Sequence, residues 1–268
     1  MTKPFDKNVD VSQASMKDVS FDELLDDTIG LSFKSVRSIW LLFKNPLEYF
    51  TAAKTPFWHN RFSPSFRIYV GLVALTTGMK FLYRDEDSPM VQVYKQQFEM
   101  IKADVAQKPN ASDKLNAENM DTTVMAITTL KWYILISPFI TVLSFCLLGL
   151  FYQGFGEKLN PVVRIRYVFA TMIPASIVSF ILILPMYFSP PEFTGAFSFL
   201  GLSLMLIIMW ITAYRGAFPA VRTTSGRAGR ATALSALIFF FMMLSATIAV
   251  VFGVVFAMKE VVAAGVTP

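Results

Sequence analysis

The second half of the chain is a succession of apolar runs broken by short polar connections. Four of them, 132–152, 167–188, 196–214 and 231–258, contain no Asp, Glu, Lys or Arg. A helix needs about 20 apolar residues to cross the ~30 Å hydrocarbon core, and these runs supply that length. A fifth run, 65–83, is shorter and carries Lys80 near one end, where a long side chain can reach the headgroups. The helices of a water-soluble bundle would each show a polar face, and the four uncharged runs show none. The pattern predicts an all-α fold: a polytopic helical membrane bundle of about five transmembrane helices within a membrane domain spanning 64–258. The last run is longer than a crossing requires, so it should tilt or begin along the interface.

Amphipathic periodicity marks two further segments. Residues 1–30 are polar, with Ser20 and Glu23 spaced as a capping box for a short acidic helix. In 31–63, Phe33, Val36, Trp40 and Phe43 recur at helical spacing, flanked by Lys34, Arg37 and Lys44. Asn45, Pro46 and Glu48 read as the start of a second helix, with Asn45 as cap and Glu48 completing the box. Leu47 and Phe50 extend the apolar face, and Phe57, Trp58 and Phe62 are aromatics suited to an interface. Amphipathic interfacial helices over 31–63 would set Lys34, Arg37, Trp40, Phe43, Lys44 and Trp58 on a lipid surface with anionic headgroups. The alternative is that the same face packs on the chain's own spans. Between the first two runs, the insert 84–130 holds Val91, Tyr94, Phe98, Ile101 and Val105 at helical spacing. That face must cover the bundle, lipid or a partner. Residues 108–121 read as a linker, and Asn110, Ala111 and Ser112 match the short glycosylation pattern.

Composition agrees with the membrane reading: 54% of residues are hydrophobic and only 16% charged, against about 25% in a soluble domain. The net charge of +5 does not point to nucleic acid, because Lys and Arg flank the apolar runs. Segment 1–64 has eight Lys or Arg, and 84–130 has five against eight acids. The connection after the second run has Lys158, Arg164 and Arg166, and the one after the fourth has Arg215, Arg222, Arg227 and Arg230. The turn after the third run has none. Basic connections thus alternate with poor ones, which predicts a cytoplasmic N-terminus and an extracytoplasmic tail at 259–268; the composition is compatible with a bacterial inner membrane as the setting. No apolar signal stretch is seen in the first ~30 residues.

Candidate chemistry is sparse. One cysteine, Cys146, allows no internal disulfide, and one histidine, His59, with no clustered acids or cysteines, makes no usual metal site. No catalytic, cofactor-binding or metal residue is expected, and the chain reads as a non-enzyme without cofactor. Ser137, Thr141 and Ser144 form a mild polar stripe on the second run, and Ser176 and Ser179 lie on the third. Pro138, Pro174 and Pro185 free backbone carbonyls there. Such groups can line a path for a small neutral solute, or act as interhelical glue. Ser245, Ala249, Gly253 and Ala257 recur every four residues, a close helix-packing face inside the bundle or between protomers. The glycines of 215–230 lack the Gly-Lys-Ser/Thr ending of a phosphate loop.

Residues 39–50 (IWLLFKNPLEYF) followed by 60–67 (NRFSPSFR) resemble the entry region of a family of uncharacterised bacterial membrane proteins, many of which carry an N-terminal zinc ribbon. The ribbon's cysteines are absent here. Residues 214–222 (YRGAFPAVR) are a second, looser match, and the five-span plan resembles that of Yip-type membrane-trafficking proteins. The resemblance implies a fold class and carries no functional residue. The amphipathic segments and polar stripes leave three readings: an accessory subunit organising, assembling or regulating partner membrane proteins or lipids, with self-association as one form; a transporter or channel component for a neutral small solute or lipid; and, third, an interfacial lipid enzyme, which would need acids or histidines converging at a headgroup pocket.

Overall fold

The computed structural model describes residues 33–55, 61–82, 85–107, 121–155, 159–188, 193–218 and 220–263. The segment 1–30, Trp58, His59, Glu157 and the 110–112 pattern lie outside the described residues. Every element among the described residues is helical: α1 (Phe33–Lys44), α2 (Pro46–Ala52), α3 (Ser65–Leu82), α4 (Pro89–Ala106), α5 (Thr122–Phe151), α6 (Pro161–Phe188), α7 (Thr194–Thr212) and α8 (Thr224–Ala263). A 3₁₀ turn, Tyr152–Phe155, closes α5, and a π-turn, Ala213–Ala217, closes α7.

Four helices are long and apolar enough to cross a membrane, α5 to α8, and the chain is a multi-pass membrane protein. α8 has 40 residues, about 60 Å of helix, roughly twice the hydrocarbon thickness. α3 falls short of the other four in apolar length because Arg67 and Lys80 sit within its 18 residues. Even so, it runs antiparallel to α5 for most of its length. Tyr69 meets Phe145 with ring centroids 5.7 Å apart, and Lys80 lies over Tyr133, also at 5.7 Å.

α6 is the centre of the bundle. Half of its crossing is buried, against 22% for each of the other three. The run Tyr167 to Ile173 is closed off almost completely, with Phe169 between Phe66 and Tyr69 of α3 and Phe145 of α5. Lipid tails are as apolar as these side chains, so what holds the helices together is close packing and interhelical hydrogen bonding. The small residues mark the tightest approaches. At Gly149 of α5 a β-carbon would lie 2.5 Å from the Ile165 side chain and 3.0 Å from its Cα.

The stripe on α8 packs within the chain. Ser245, Ala249 and Ala257 are buried, and a β-carbon at Gly253 would lie 3.0 Å from the Thr129 carbonyl oxygen of α5. Beyond it, Glu260 accepts hydrogen bonds from Lys131 Nζ and Trp132 Nε1, each at 2.7 Å. α4 covers this same end. Its Val91, Tyr94 and Phe98 are buried in a cluster with Met125, Ala126 and Leu130 of α5 and Ala257 and Val261 of α8. Ile101, further along α4, is exposed. The helix opens at Ser88, whose hydroxyl accepts from the Val91 amide, with Pro89 at the first position.

At the opposite end, arginines and tyrosines bind backbone carbonyls that helix ends leave open. Arg215 donates to the Phe43 and Lys44 carbonyls at the end of α1, at 3.3 and 2.7 Å. Arg166 donates to Ala53 O and Arg230 to Phe155 O. Tyr49 donates to Ser63 O, Tyr152 to Ala217 O and Tyr167 to Phe50 O, each within 2.8 Å. Gly216 admits the Phe50 ring, which would lie 2.6 Å from a β-carbon there. The basic connections that the sequence marks as orientation signals thus also bind the N-terminal helices to the bundle.

Candidate functional site

α1 and α2 form an N-terminal arm, and α1 is oriented differently from what burial of an apolar stripe on the protein would give. α1 buries Ser35, Ser38 and Leu42. Ser35 Oγ donates to Ser63 Oγ at 2.9 Å, Ser63 N donates to Ser38 Oγ at 3.0 Å, and Ser38 Oγ donates to Lys34 O. A serine seam faces the bundle, and Phe33, Val36 and Trp40 face outward, each more than half exposed, with Phe43 beside them. Lys34, Arg37 and Lys44 are exposed on the same helix. Both sequence alternatives therefore hold in part: Phe33, Val36, Trp40, Phe43 and Leu47 are exposed, whereas Phe50 packs on the chain's own spans against Tyr167 and Gly216, and Phe62 is buried. The expected capping box of α2 is also absent. Asn45 makes no side-chain capping bond, and Glu48 accepts from Arg61 at 2.7 Å instead. Pro46 does hold the first helical position.

The second feature lies inside the bundle. α3, α5 and α6 face one another here, with Met205 of α7 and Met242 and Ala246 of α8 on the remaining wall. A cavity of about 220 Å³ remains between them. Its polar lining comes from three helices: Tyr69, Thr76, Thr77 and Lys80 of α3, Tyr133, Ser137 and Thr141 of α5, and Ser176 and Ser179 of α6. Met172, Met205 and Met242 supply flexible apolar wall. Pro138, also in the lining, removes the helical donor to the Ile134 carbonyl and relaxes α5 at this level. Thr76 Oγ1 donates back to Leu72 O, so its hydroxyl is held along the helix. On α3 the lining extends from Tyr69 to Lys80, about 16 Å of helix.

Lys80 is half-buried and turned inward, its Nζ over the Tyr133 ring. Among the described residues no carboxylate or hydrogen-bond acceptor pairs with it. The sequence marks it as a lysine reaching for headgroups, and its place in one cavity lining with Ser137 and Ser176 is a finding of the structure. A signal was present: Tyr69, Val73, Thr76 and Lys80 fall at +4, +3 and +4, a polar-ended stripe on an otherwise apolar helix. Ser137 and Thr141, and Ser176 and Ser179, read from the sequence as two separate stripes, come together in this one cavity. Ser144 is not in its lining.

A second cavity of about 280 Å³ joins the first at Ser179, Met205 and Met242. It runs between α6 and α7 along Leu182, Phe197, Gly201 and Leu202 and is mostly apolar. Gly201 leaves room there: the nearest atom to a β-carbon would be Leu182 Cδ1 at 3.9 Å.

Hydroxyls and one ammonium group can bind and orient a polar group. Among the described residues no three His, Cys, Asp or Glu side chains gather as a metal site would require. Cys146 is half-buried on α5, away from the cavity lining. Compared with protein-family models, curated proteins and solved structures, the chain finds no match.

Proposed function

We propose that this protein accommodates a polar solute or lipid headgroup inside the membrane and carries or presents it, without chemistry of its own. The observation that supports this reading is the cavity lined by nine polar side chains, Tyr69 included, from three otherwise apolar helices. Polar groups are costly in hydrocarbon, and helix adhesion alone is better served by direct interhelical bonds than by hydroxyls set around open space. In this reading α3 is the fifth crossing. Its 18 residues make about 27 Å of helix alongside α5. Five crossings put the arm in the cytoplasm and the C-terminal end outside, as the Lys and Arg distribution predicts, and a bacterial inner membrane fits that plan.

The test is occupancy. The tagged chain is extracted from its membrane in mild detergent, and small molecules and lipids bound to it are identified by native mass spectrometry. A molecule held by the wild type and lost in Ser176→Leu, which fills the polar end, supports the reading. Identical bound species in both proteins would remove it.

A second reading, an accessory subunit that organises partners, has its own support in the outward apolar face of α1 with exposed Lys34, Arg37 and Lys44 around it. α4 offers less to a partner, since its apolar face is largely taken up by α5 and α8. Stoichiometric co-purification of another membrane protein that depends on Trp40 would favour this second reading.

A further inference from the structure

We propose that the ligand of this cavity is an anionic amphiphile, a lipid whose negatively charged head is held by Lys80 and whose chain lies in the apolar cavity between α6 and α7. The inference rests on the reading that the cavity is a binding site, and it adds the ligand's charge and shape.

The charge comes from Lys80. It is the one cation in the lining, and among the described residues it has no anionic partner. Tyr133 stabilises the ammonium group through its ring face but supplies no counter-charge. A cation held this way in a low-dielectric site is a ready partner for a phosphate or carboxylate oxygen, and Ser137, Ser176 and Ser179 bring hydroxyls to the lining of the same cavity. The shape comes from the junction at Ser179, Met205 and Met242, where a polar compartment becomes an apolar one. A free phosphate ion would use the first compartment only. A lipid uses both, its head among the hydroxyls and its chain along Leu182, Gly201 and Leu202. Methionine walls at the junction adapt to a chain without a fixed shape.

The test uses the full chain in mild detergent, with native mass spectrometry during titration of phosphatidylglycerol or phosphatidylcholine of identical acyl chains. The wild type should take up one phosphatidylglycerol at roughly ten-fold lower concentration than phosphatidylcholine, the scale of one charge-assisted hydrogen bond. Lys80→Gln should bring the two lipids level, and Lys80→Arg should retain the preference. A preference that survives in Lys80→Gln overturns the assignment of charge. Gly201→Leu, which fills the apolar compartment where space is available, should weaken both lipids equally. If Gly201→Leu and Ser176→Leu change neither lipid, the cavity is not the site and the underlying reading fails. If they abolish binding while Lys80→Gln keeps the preference, only the anionic head is wrong. Displacement of phosphatidylglycerol by millimolar inorganic phosphate would assign the anion to water and overturn the lipid.

Discussion

Gly149→Ala and Gly78→Ala make the same chemical change on two apolar helices and should act in opposite directions. At position 149 the new methyl would sit 2.5 Å from Ile165 Cγ1 and 3.0 Å from Ile165 Cα. Carbon atoms rest about 3.5–4.0 Å apart, so α5 and α6 must separate by roughly 0.5–1 Å. The side chain can turn aside, but the Cα is part of a helix and cannot. Overpacking of this kind costs about 1–3 kcal/mol, while removing a helical glycine returns about 0.5–1 kcal/mol. The net expected effect is a destabilisation of about 1–2 kcal/mol. At Gly78 nothing lies within 4 Å of the added carbon, so only the gain remains. Thermal unfolding in detergent, followed by loss of the monodisperse species on size exclusion, should place Gly149→Ala below the wild type and Gly78→Ala at or above it. Equal shifts in one direction would refute the close approach of α5 and α6.

Other perturbations probe the ends of the bundle. Arg215→Gln removes the donors to Phe43 O and Lys44 O, and limited proteolysis should then cut near 44 faster, by an amount consistent with about 1–3 kcal/mol; unchanged cleavage would mean that the arm is held elsewhere. Trp40, turned outward, should be quenched by brominated lipid in vesicles of the full chain more than a Trp40→Phe control allows; quenching only by a water-soluble agent would place the arm off the membrane. Glu260→Gln should change stability by less than about 1 kcal/mol, because its pair with Lys131 is solvent-exposed and glutamine keeps an oxygen to accept from Trp132; a larger loss would show that the exposed charge itself holds this end together. Burial pushes the Tyr49 phenol far above its usual range, while its bond to Ser65 and the nearby Arg166 charge pull the other way. The folded chain keeps that proton after the unfolded chain has lost it near pH ~10, so this contribution is present below pH ~10 and fades above it by up to about 1.4 kcal/mol per pH unit. Tyr49→Phe should have the shallower alkaline decline, measured by urea unfolding between pH 9 and 11.

The bilayer crossings were legible because the signal is an absence. Runs 132–152, 167–188, 196–214 and 231–258 carry no charge, and only hydrocarbon tolerates that on every face. The arm was half legible. Periodicity in Phe33, Val36, Trp40 and Phe43 identifies a face, but the medium that covers it depends on what Ser35 and Ser38 bind across the chain, at Ser63. Along the sequence Arg215 and Arg230 show only a sign of charge; that they reach carbonyls at Lys44 and Phe155 follows only from how the helices meet. The cavity was legible as parts. Ser137 with Thr141, and Ser176 with Ser179, were visible as polar stripes, but whether such stripes bond to each other or enclose space is set by packing. Lys80 was least legible, because a lysine near a helix end has two outlets, water or an interior cavity. Choosing between them required the position of Tyr133, more than fifty residues away.

The most direct measurement is cysteine accessibility in native membranes. With Cys146 replaced by alanine, single substitutions Ser137→Cys, Ser176→Cys and, as a lipid-facing control, Leu143→Cys are exposed to a small charged thiol reagent. The account predicts modification at 137 and 176 and none at 143, since the first two line a polar cavity and Leu143 is exposed on the outer surface of α5. Labelling at none of the three would mean a dry, closed seam between α5 and α6, and would contradict the binding site.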